Sequence, residues 1–397
     1  MTKHAPISTE SHTIKITAKG VARLRAGHVW VYRSDVTATD AIPPGTLVSV
    51  ADARGKVLGS ALYSSASQIA LRMVSPKPLP PAELPLLLRD RLRTALEYRK
   101  QVVHDSDACR LVFSEADGLP GLIVDRCNDI VSFQALTQAM DQRKEELMAQ
   151  LADELQPAAI VERVEPRIRE LEQLPAAETR ILRGDRSRTV VTMNGVRFHF
   201  DALAGQKTGS FLDQRENYAA AARYAHGEAL DVFCYQGGFA LHLASRCDSV
   251  TGVDSSRPAL EQAEQNAALN GREIEWMEAN AFDLLRDYSD AGTQYDTIVL
   301  DPPAFAKSKR ALDTALRGYK ELNLRAFKML RPGGTLVTCS CSYHVSEADF
   351  LAMLTQAALD ARRTVRILEK RGQAQDHPVV LGIPETSYLK CVILSAQ

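Results

Sequence analysis

The apolar and polar positions of this chain change rhythm twice. Over residues 13–75 the runs TIKIT, TLVSVAD, KVLGSALYS and QIALRMV alternate or stay apolar for a few residues, with Gly, Pro and Asp between them. That pattern predicts short strands closing into a small β-barrel or roll. PKPLPPAELP, Pro76 to Pro85, reads as a proline-rich linker. The next segment, LLLRDRLRTALEYRKQV, has helical spacing, with an apolar stripe and a basic face of Arg89, Arg91, Arg93, Arg99 and Lys100.

Residues 110–200 read as a second α+β unit. RLVFSEADGLPGLIVDRCNDIVSFQAL predicts strand, turn and strand, with turns at Asp117-Gly118 and Pro120-Gly121. A helix is predicted from about Asp141 to Leu155, then strands at AIVERV and TVVTMNGVRFHFD, the latter a hairpin turning at Asn194-Gly195. From about residue 205 strands alternate with helices. EALDVFC, SVTGVD, EIEWMEAN, YDTIVLD and GTLVTCS are the strands, and PALEQAEQNAALNG and LRGYKELNLRAFKML are among the helices. Such alternation predicts a parallel, doubly wound α/β sheet. SYLKCVIL adds a last strand, and no internal repeat is visible. A chain of 397 residues exceeds one ordinary core. The expected division is 1–80, 81–200 and 201–397.

Composition changes this picture little, with 45% hydrophobic and 24% charged residues. The start, MTKHAPISTESHT, has no apolar core of a secretory signal, and no apolar run approaches the roughly 20 residues needed to span a bilayer. The expected location is the cytoplasm, with no membrane partner. Seven scattered cysteines include no Cys-x-x-Cys pair, so free thiols and no metal site are expected. The net charge of -1 conceals an asymmetry. Residues 1–100 carry 15 Lys+Arg against 7 Asp+Glu, and the remainder 33 against 42. The first quarter is therefore a candidate polyanion surface or simply a solvated basic domain.

In doubly wound sheets ligands bind beyond the carboxyl ends of the strands. The first such strand ends DVFCYQGGF, with Asp231 followed by Gly237 and Gly238 at the start of a helix. The second ends in Asp254, an acid placed to accept ribose hydroxyls. A nicotinamide site is disfavoured because YQGGF is a poor match to G-x-G-x-x-G. The fourth strand ends LDPPAFAKSK, where two prolines stiffen the turn that presents Asp301. Asp-Pro-Pro in this place resembles the motif of S-adenosylmethionine-dependent methyltransferases acting on bases.

Over nearly its full length the chain resembles one family: bacterial PUA-domain-containing methyltransferases that make 5-methylcytidine in large-subunit (23S) ribosomal RNA. The segments carrying the resemblance are RLRAGHVWVYRSDV, GSALYSSASQIALRMVS, EADGLPGLIVDR, GQKTGSFLDQREN and DHPVVLGIPETSYLK. The last looks like that family's terminal hairpin. The resemblance implies an N-terminal RNA-binding PUA-like domain, a small central α+β domain and a C-terminal Rossmann-like methyltransferase domain. It implies S-adenosylmethionine as cofactor, with Asp254 on the ribose and the Cys234-Tyr235-Gln236-Gly237 turn at the methionine end. Asn280, where the family usually has Asp, would contact the adenine amine through its amide oxygen, and Asp283 is a competitor for that role. Asp301 would bind the cofactor edge and the pyrimidine.

Carbon 5 of cytosine becomes nucleophilic when a thiolate adds to carbon 6. The strand GGTLVTCSCSYHVSE offers Cys339 and Cys341, two apart and so on one face. Cys341 lies further toward the open strand end, and the family's Ser-Cys-Ser block lines up with Ser340-Cys341-Ser342. Cys341 is therefore the candidate nucleophile and Cys339 the candidate core filler. Related cytosine enzymes often carry a second cysteine after the Asp-Pro turn, where this chain has Ala304. His344 is either a proton shuttle or an ordinary loop residue. Candidate RNA contacts are Lys19, Arg23, Arg25 and Trp30 in the first domain, with core packing the preferred reading for Trp30. Lys307, Lys309 and Arg310, with Arg317 and Lys320, flank the site's mouth. Two other readings stay open: an RNA guanine N-methyltransferase on the same fold, and a non-catalytic RNA-binding assembly factor. The sequence leaves the oligomeric state open, a homodimer included.

Overall fold

The computed structural model describes residues 12–38, 41–204, 211–306 and 308–397, except for the side chains of Ala38 and Lys309. Backbone contacts divide the chain into two units. The described residues of the first fall within 1–191, 200–211 and 375–386, those of the second within 192–199, 212–374 and 387–397.

The first unit opens with β1 (His12–Ile16), α1 (Ala18–Arg25), β2 (Trp30–Tyr32), β3 (Val36–Ala38), β4 (Leu47–Ala51), β5 (Val57–Tyr63) and β6 (Ile69–Ser75). These strands form one barrel-like sheet in the order β2-β6-β5-β4-β1-β3, with β1 parallel to β4. Ile14, Val31, Val50, Ala61 and Leu71 fill its interior. The pattern predicted strands alone here, and α1 is the departure. Eight residues make barely two turns, too few for a 3.6-residue period to show. Thr17 caps α1, its Oγ1 accepting the Gly20 N–H at 3.2 Å.

The unit continues with α2 (Leu84–Val102), β7 (Ala108–Phe113), β8 (Leu122–Cys127), β9 (Ile130–Ala135), α3 (Gln138–Leu155), β10 (Ala159–Glu162), α4 (Pro166–Leu171) and β11 (Arg180–Arg183). The second sheet runs β11-β10-β9-β8-β7. The predicted stripe of α2 buries Leu84, Leu88, Leu92, Ala95 and Leu96 against Leu111, Leu122 and Phe133. Glu115, just beyond β7, is half-buried and ion-paired with Arg72 of β6, and it accepts the Trp30 indole N–H at 2.8 Å. Trp30 is thus a half-buried, hydrogen-bonded packing residue, as the preferred reading of it held. The segment Gln375–Thr386 also belongs to this unit: Arg99 donates to the Asp376 carbonyl at 2.9 Å, and Arg110 N–H to its carboxylate at 2.8 Å.

A two-stranded hairpin, β12 (Arg188–Met193) and β13 (Val196–Asp201), turns at Asn194-Gly195. The second unit then follows with α5 (Arg215–Tyr224), β14 (Glu228–Val232), α6 (Gly238–Leu243), β15 (Ser249–Asp254), α7 (Arg257–Leu269), β16 (Glu275–Glu278), α8 (Ala281–Ala291), β17 (Tyr295–Leu300), α9 (Leu312–Met329), β18 (Leu330–Ser340), α10 (Glu347–Asp360), β19 (Val365–Arg371) and β20 (Lys390–Ala396). Its sheet runs β16-β15-β14-β17-β18-β20-β19. The first five are mutually parallel, whereas β20 is antiparallel to both neighbours. The terminal hairpin expected over Asp376–Lys390 is corrected here. Its arms are β19 and β20, and that segment is the connection between them, apart from Lys390.

α9 and α10 pack on one face of this sheet through Tyr319, Leu322, Phe327, Phe350 and Met353. Tyr218, Phe239 and Leu243, from α5 and α6, cover the other. Both faces are therefore buried, as the continuous apolar runs of β14 and β17 require. The polar residues that end the five parallel strands consequently meet along one edge.

Candidate active site

At the end of β14 the backbone is unusual. Phe233, Tyr235 and Gly237 all have positive φ, at 67°, 49° and 84°. Such strain in non-glycine residues clusters at functional sites. Gly237 is needed on two counts, since a Cβ there would also lie 2.8 Å from the Trp276 ring. Gly252 on β15 lies against the same ring with no room for a side chain. The Trp276 indole of β16 therefore rests on two bare backbone positions beside the loop.

Asp254, ending β15, fixes the loop. Its two carboxylate oxygens accept the Tyr235 N–H and the Ser256 N–H, each at 2.9 Å. A carboxylate offers about four lone-pair sites, so capacity for two hydroxyls remains. Asp231 lies deeper. One of its oxygens accepts the Ala240 N–H at 2.8 Å, and the other is buried with no hydrogen-bond partner among the described residues. Burial pushes this carboxyl well above the usual range. Cys234 is buried, which raises its thiol too. Gln236 contributes through its backbone, its carbonyl accepting from Asn266 at 3.1 Å.

Asn280 sits at the predicted place but is differently employed. Its side-chain oxygen caps α8, accepting the Phe282 and Asp283 N–H groups at 3.0 and 3.3 Å. The oxygen expected to take the adenine amine is thus committed to the helix, and the amide NH2 is what Asn280 can offer a ligand. Asp283 is exposed and ion-paired with Arg286 at 2.8 Å.

The Asp-Pro-Pro turn and the cysteine strand do meet. Cys341, half-buried, directs its thiol toward the Pro302 carbonyl at 3.9 Å. Ser342 ties this end of the site together: its hydroxyl accepts the Ala306 N–H at 3.1 Å and shares a hydrogen bond with the Tyr319 hydroxyl at 3.0 Å. Phe305 packs on Tyr319 with centroids 4.8 Å apart, fixing the turn to α9. Cys339, two residues back, is 0% exposed and pairs in register with Cys391 of β20. Burial and the neighbouring Cys391 push its thiol well above the ordinary range. His344 is half-buried and packs against Tyr343.

Asp301 is held by a relay the sequence did not single out. Arg371 can only donate, and its Nε–H donates a hydrogen bond to Asn217 Oδ1 at 2.9 Å. Asn217 Nδ2 must then donate to Gln214 Oε1, at 2.7 Å, and Gln214 Nε2 to Asp301 Oδ1, at 3.0 Å. Asn217 and Gln214 are both buried. The donor direction along the chain is fixed from Arg371 to the carboxylate. Gln214 and Asn217 lie in the FLDQREN block, whose resemblance named no role for them. Trp276 and Lys390 were missed as well.

The candidate cations fare unequally. Lys19 and Arg25 are exposed on α1, and Arg310 is exposed beyond β17. Arg23 is ion-paired with Asp35 and lies over the Tyr32 ring, 4.6 Å from its centroid. Lys320 is ion-paired with Asp360 at 2.8 Å, and Arg317 donates to Thr314 at 3.4 Å. Lys307 and the Lys309 side chain lie outside the described residues, as do Gly205–Ser210 of the GQKTGSFLDQREN block. Among the described residues there is no cluster of metal-binding side chains, and no helix is long and apolar enough to cross a membrane.

Comparison with known proteins agrees with this geometry. A PUA-like domain model matches residues 14–76, and an S-adenosylmethionine-dependent methyltransferase model matches residues 146–385. The chain is 38% identical over 376 residues to ribosomal RNA large subunit methyltransferase I of Shewanella amazonensis, covering 92% of this chain and 94% of that one. It is 37% identical over 379 residues to the protein of that name in Vibrio cholerae, covering 92% and 95%. A crystal structure of a methyltransferase complexed with SAH superposes with a TM-score of 0.83 at 18% identity, over 97% of this chain and all of the other. A methyltransferase structure from Streptococcus mutans gives 0.81, also at 18%. The strand ends fit the cofactor: a left-handed loop over bare glycines, an indole wall, and a carboxylate with lone pairs to spare at the end of β15. The chain belongs to the family of S-adenosylmethionine-dependent methyltransferases that includes these ribosomal RNA large subunit methyltransferase I proteins.

Proposed function

We propose that this protein methylates carbon 5 of a cytosine in large-subunit ribosomal RNA, with Cys341 as covalent nucleophile. The observation that carries the reading is the half-buried Cys341 thiol, 3.9 Å from the carbonyl of the Asp-Pro-Pro turn, while Cys339 lies sealed in the core. The names of the full-length relatives support the RNA substrate.

Asp254 and the Cys234–Gly237 loop hold the cofactor, Asp254 taking the ribose and Asn280 offering its amide NH2 to the adenine. When bound, S-adenosylmethionine supplies an electrophilic methyl group. Cys341 Sγ, as thiolate, adds to carbon 6, and the displaced π-electron pair makes carbon 5 nucleophilic toward that methyl. Asp301, its Oδ1 positioned by Gln214, faces the pyrimidine edge. After transfer, loss of the carbon 5 proton returns its electron pair to the ring, which expels Cys341 as thiolate and restores the double bond. Lys19, Arg25 and Arg310 are exposed cations for backbone phosphates, and the target base is flipped out to reach the strand ends. A soluble, cytoplasmic setting suits such a substrate.

The test is a mechanism trap. RNA containing 5-fluorocytidine has no carbon 5 proton to lose, so the adduct persists after methyl transfer. Wild type and Cys339→Ala should form a denaturation-resistant protein–RNA complex that requires S-adenosylmethionine, and Cys341→Ala should form none. A trapped complex in Cys341→Ala, or none in wild type on an RNA it methylates, would contradict the covalent reading.

A further inference from the structure

One buried cation near the site has no role in the preceding account. Lys390 opens β20 and pairs in register with Ser340, one residue before Cys341. It is buried, and among the described residues it forms no ion pair with a carboxylate. Its Nζ donates to the Ser342 carbonyl at 2.7 Å and to the Tyr388 carbonyl at 2.9 Å. The ammonium group therefore reaches along the strand end past Cys341 to the residue that follows it. A buried ammonium group is costly unless something compensates its charge. Two carbonyl dipoles do so only in part, and a packing role would be served as well by methionine. The arrangement makes sense if the missing negative charge is a thiolate.

We propose that Lys390 is the positioning cation that holds Cys341 as thiolate in the resting enzyme. The catalytic part of this rests on Cys341 being the nucleophile. Burial lowers the Lys390 ammonium to about 8, and the nearby Cys341 opposes that fall. Lys390 Nζ, held at the Ser342 carbonyl, is thus close enough to the Cys341 side chain for the two charges to interact. The other ionisable groups nearby are Asp301 beyond β17, Tyr319 on α9, Cys339 and Cys391 in the paired strands, and Tyr388 with its partner Asp213, 2.8 Å apart. Tyr319 is raised by burial and Cys339 by burial and Cys391, so both stay neutral. His344, in the loop after Cys341, packs on Tyr343, Arg371 is engaged through Asn217 and Gln214 with Asp301, and Asp301 disfavours a nearby thiolate; among the described residues Lys390 is the buried cation that reaches the backbone next to Cys341.

The test reads the thiol directly, without RNA. Alkylation of Cys341 by iodoacetamide is followed against pH at the peptide level, so that the other cysteines do not contribute. In wild type the reactivity midpoint should fall at least about one unit below the roughly 8.5 of a free thiol. Lys390→Met should move it above that value, and Lys390→Arg, which keeps the charge, should hold it low. Methyl transfer by Lys390→Met should drop at least tenfold at pH 7 and recover in part at pH 9, a rescue that a structural role would not give. A wild-type midpoint at or above about 8.5, or an unchanged midpoint in folded Lys390→Met, would overturn the proposal. If Lys390→Met does not fold, the wild-type midpoint together with Lys390→Arg decides. The alkylation result stands whichever base is methylated, so it fails separately from the cytosine reading, which the fluorocytidine trap tests.

Discussion

Replacing Gln214 by glutamate changes one atom in the relay to Asp301. Oε1 can still accept from Asn217, but the Nε2 that donated to Asp301 Oδ1 at 3.0 Å becomes a second carboxylate oxygen. Two unit charges 3.0 Å apart repel by about 5 kcal/mol at an effective dielectric constant of 20, which is a ceiling. Asp301 is half-exposed, and solvent screening brings this to roughly half. The folded variant escapes by keeping one proton shared between the two carboxyls, well above the pH at which the unfolded chain would lose it. The folded state then binds more protons than the unfolded state, so stability falls as pH rises. Urea denaturation at pH 5.5 and 8.5 should show Gln214→Glu near wild type at the lower pH and about 2–3 kcal/mol less stable at the higher, by the same screened repulsion. Gln214→Leu, which loses hydrogen bonds without adding charge, should cost about 1–3 kcal/mol at both. A Gln214→Glu stability curve parallel to wild type across this range would mean that Gln214 does not face Asp301.

Three further outcomes follow from single sites. Asp231 has a folded-state carboxyl raised by burial, so its stabilising contribution is present below its unfolded value and is lost as pH rises. Asp231→Asn should therefore gain stability relative to wild type between pH 5 and pH 8 in thermal melts, and a pH-independent difference would contradict this. For Glu115, burial acts to raise the carboxyl, but Arg72, Ser114 and Trp30 together outweigh it and hold it below the usual range. Arg72→Met should cost about 3–5 kcal/mol in urea denaturation at pH 7, less as pH falls and Glu115 takes a proton. Gly237→Ala puts a Cβ 2.8 Å from Trp276 at a φ of 84°. It should weaken S-adenosylmethionine binding by calorimetry at least tenfold, and an unchanged affinity would place the cofactor elsewhere.

Much of the site could be read from the chain because strand ends announce themselves. Asp254, Gly237 and Asp301-Pro302-Pro303 are punctuation as well as chemistry, and the fold collects them at one edge. The choice of Cys341 over Cys339 rested on the direction of the strand and on the Ser-Cys-Ser block; in the fold Cys339 is buried and Cys341 half-buried. What stayed hidden depends on partners distant in sequence. Gln214 reaches a carboxylate 87 residues away, and Lys390 a carbonyl 48 residues away. No local pattern marks either. Trp276 looked like one more apolar strand residue, and its use as a wall emerges only when Gly237 and Gly252 come beneath it. The pairing of Arg23 with Asp35 was likewise not legible in the charge pattern. Helix α1 is too short to show its period, and the family resemblance that marks Asn280 carries no sign of its capping geometry.

The measurement to make first is nucleoside mass spectrometry. Purified protein is incubated with unmodified large-subunit ribosomal RNA and methyl-labelled S-adenosylmethionine, and the RNA is digested. Label should appear in 5-methylcytidine with wild type and Cys339→Ala, and vanish with Cys341→Ala. Label in a methylguanosine, unaffected by Cys341→Ala, would contradict the account and turn both cysteines into packing residues.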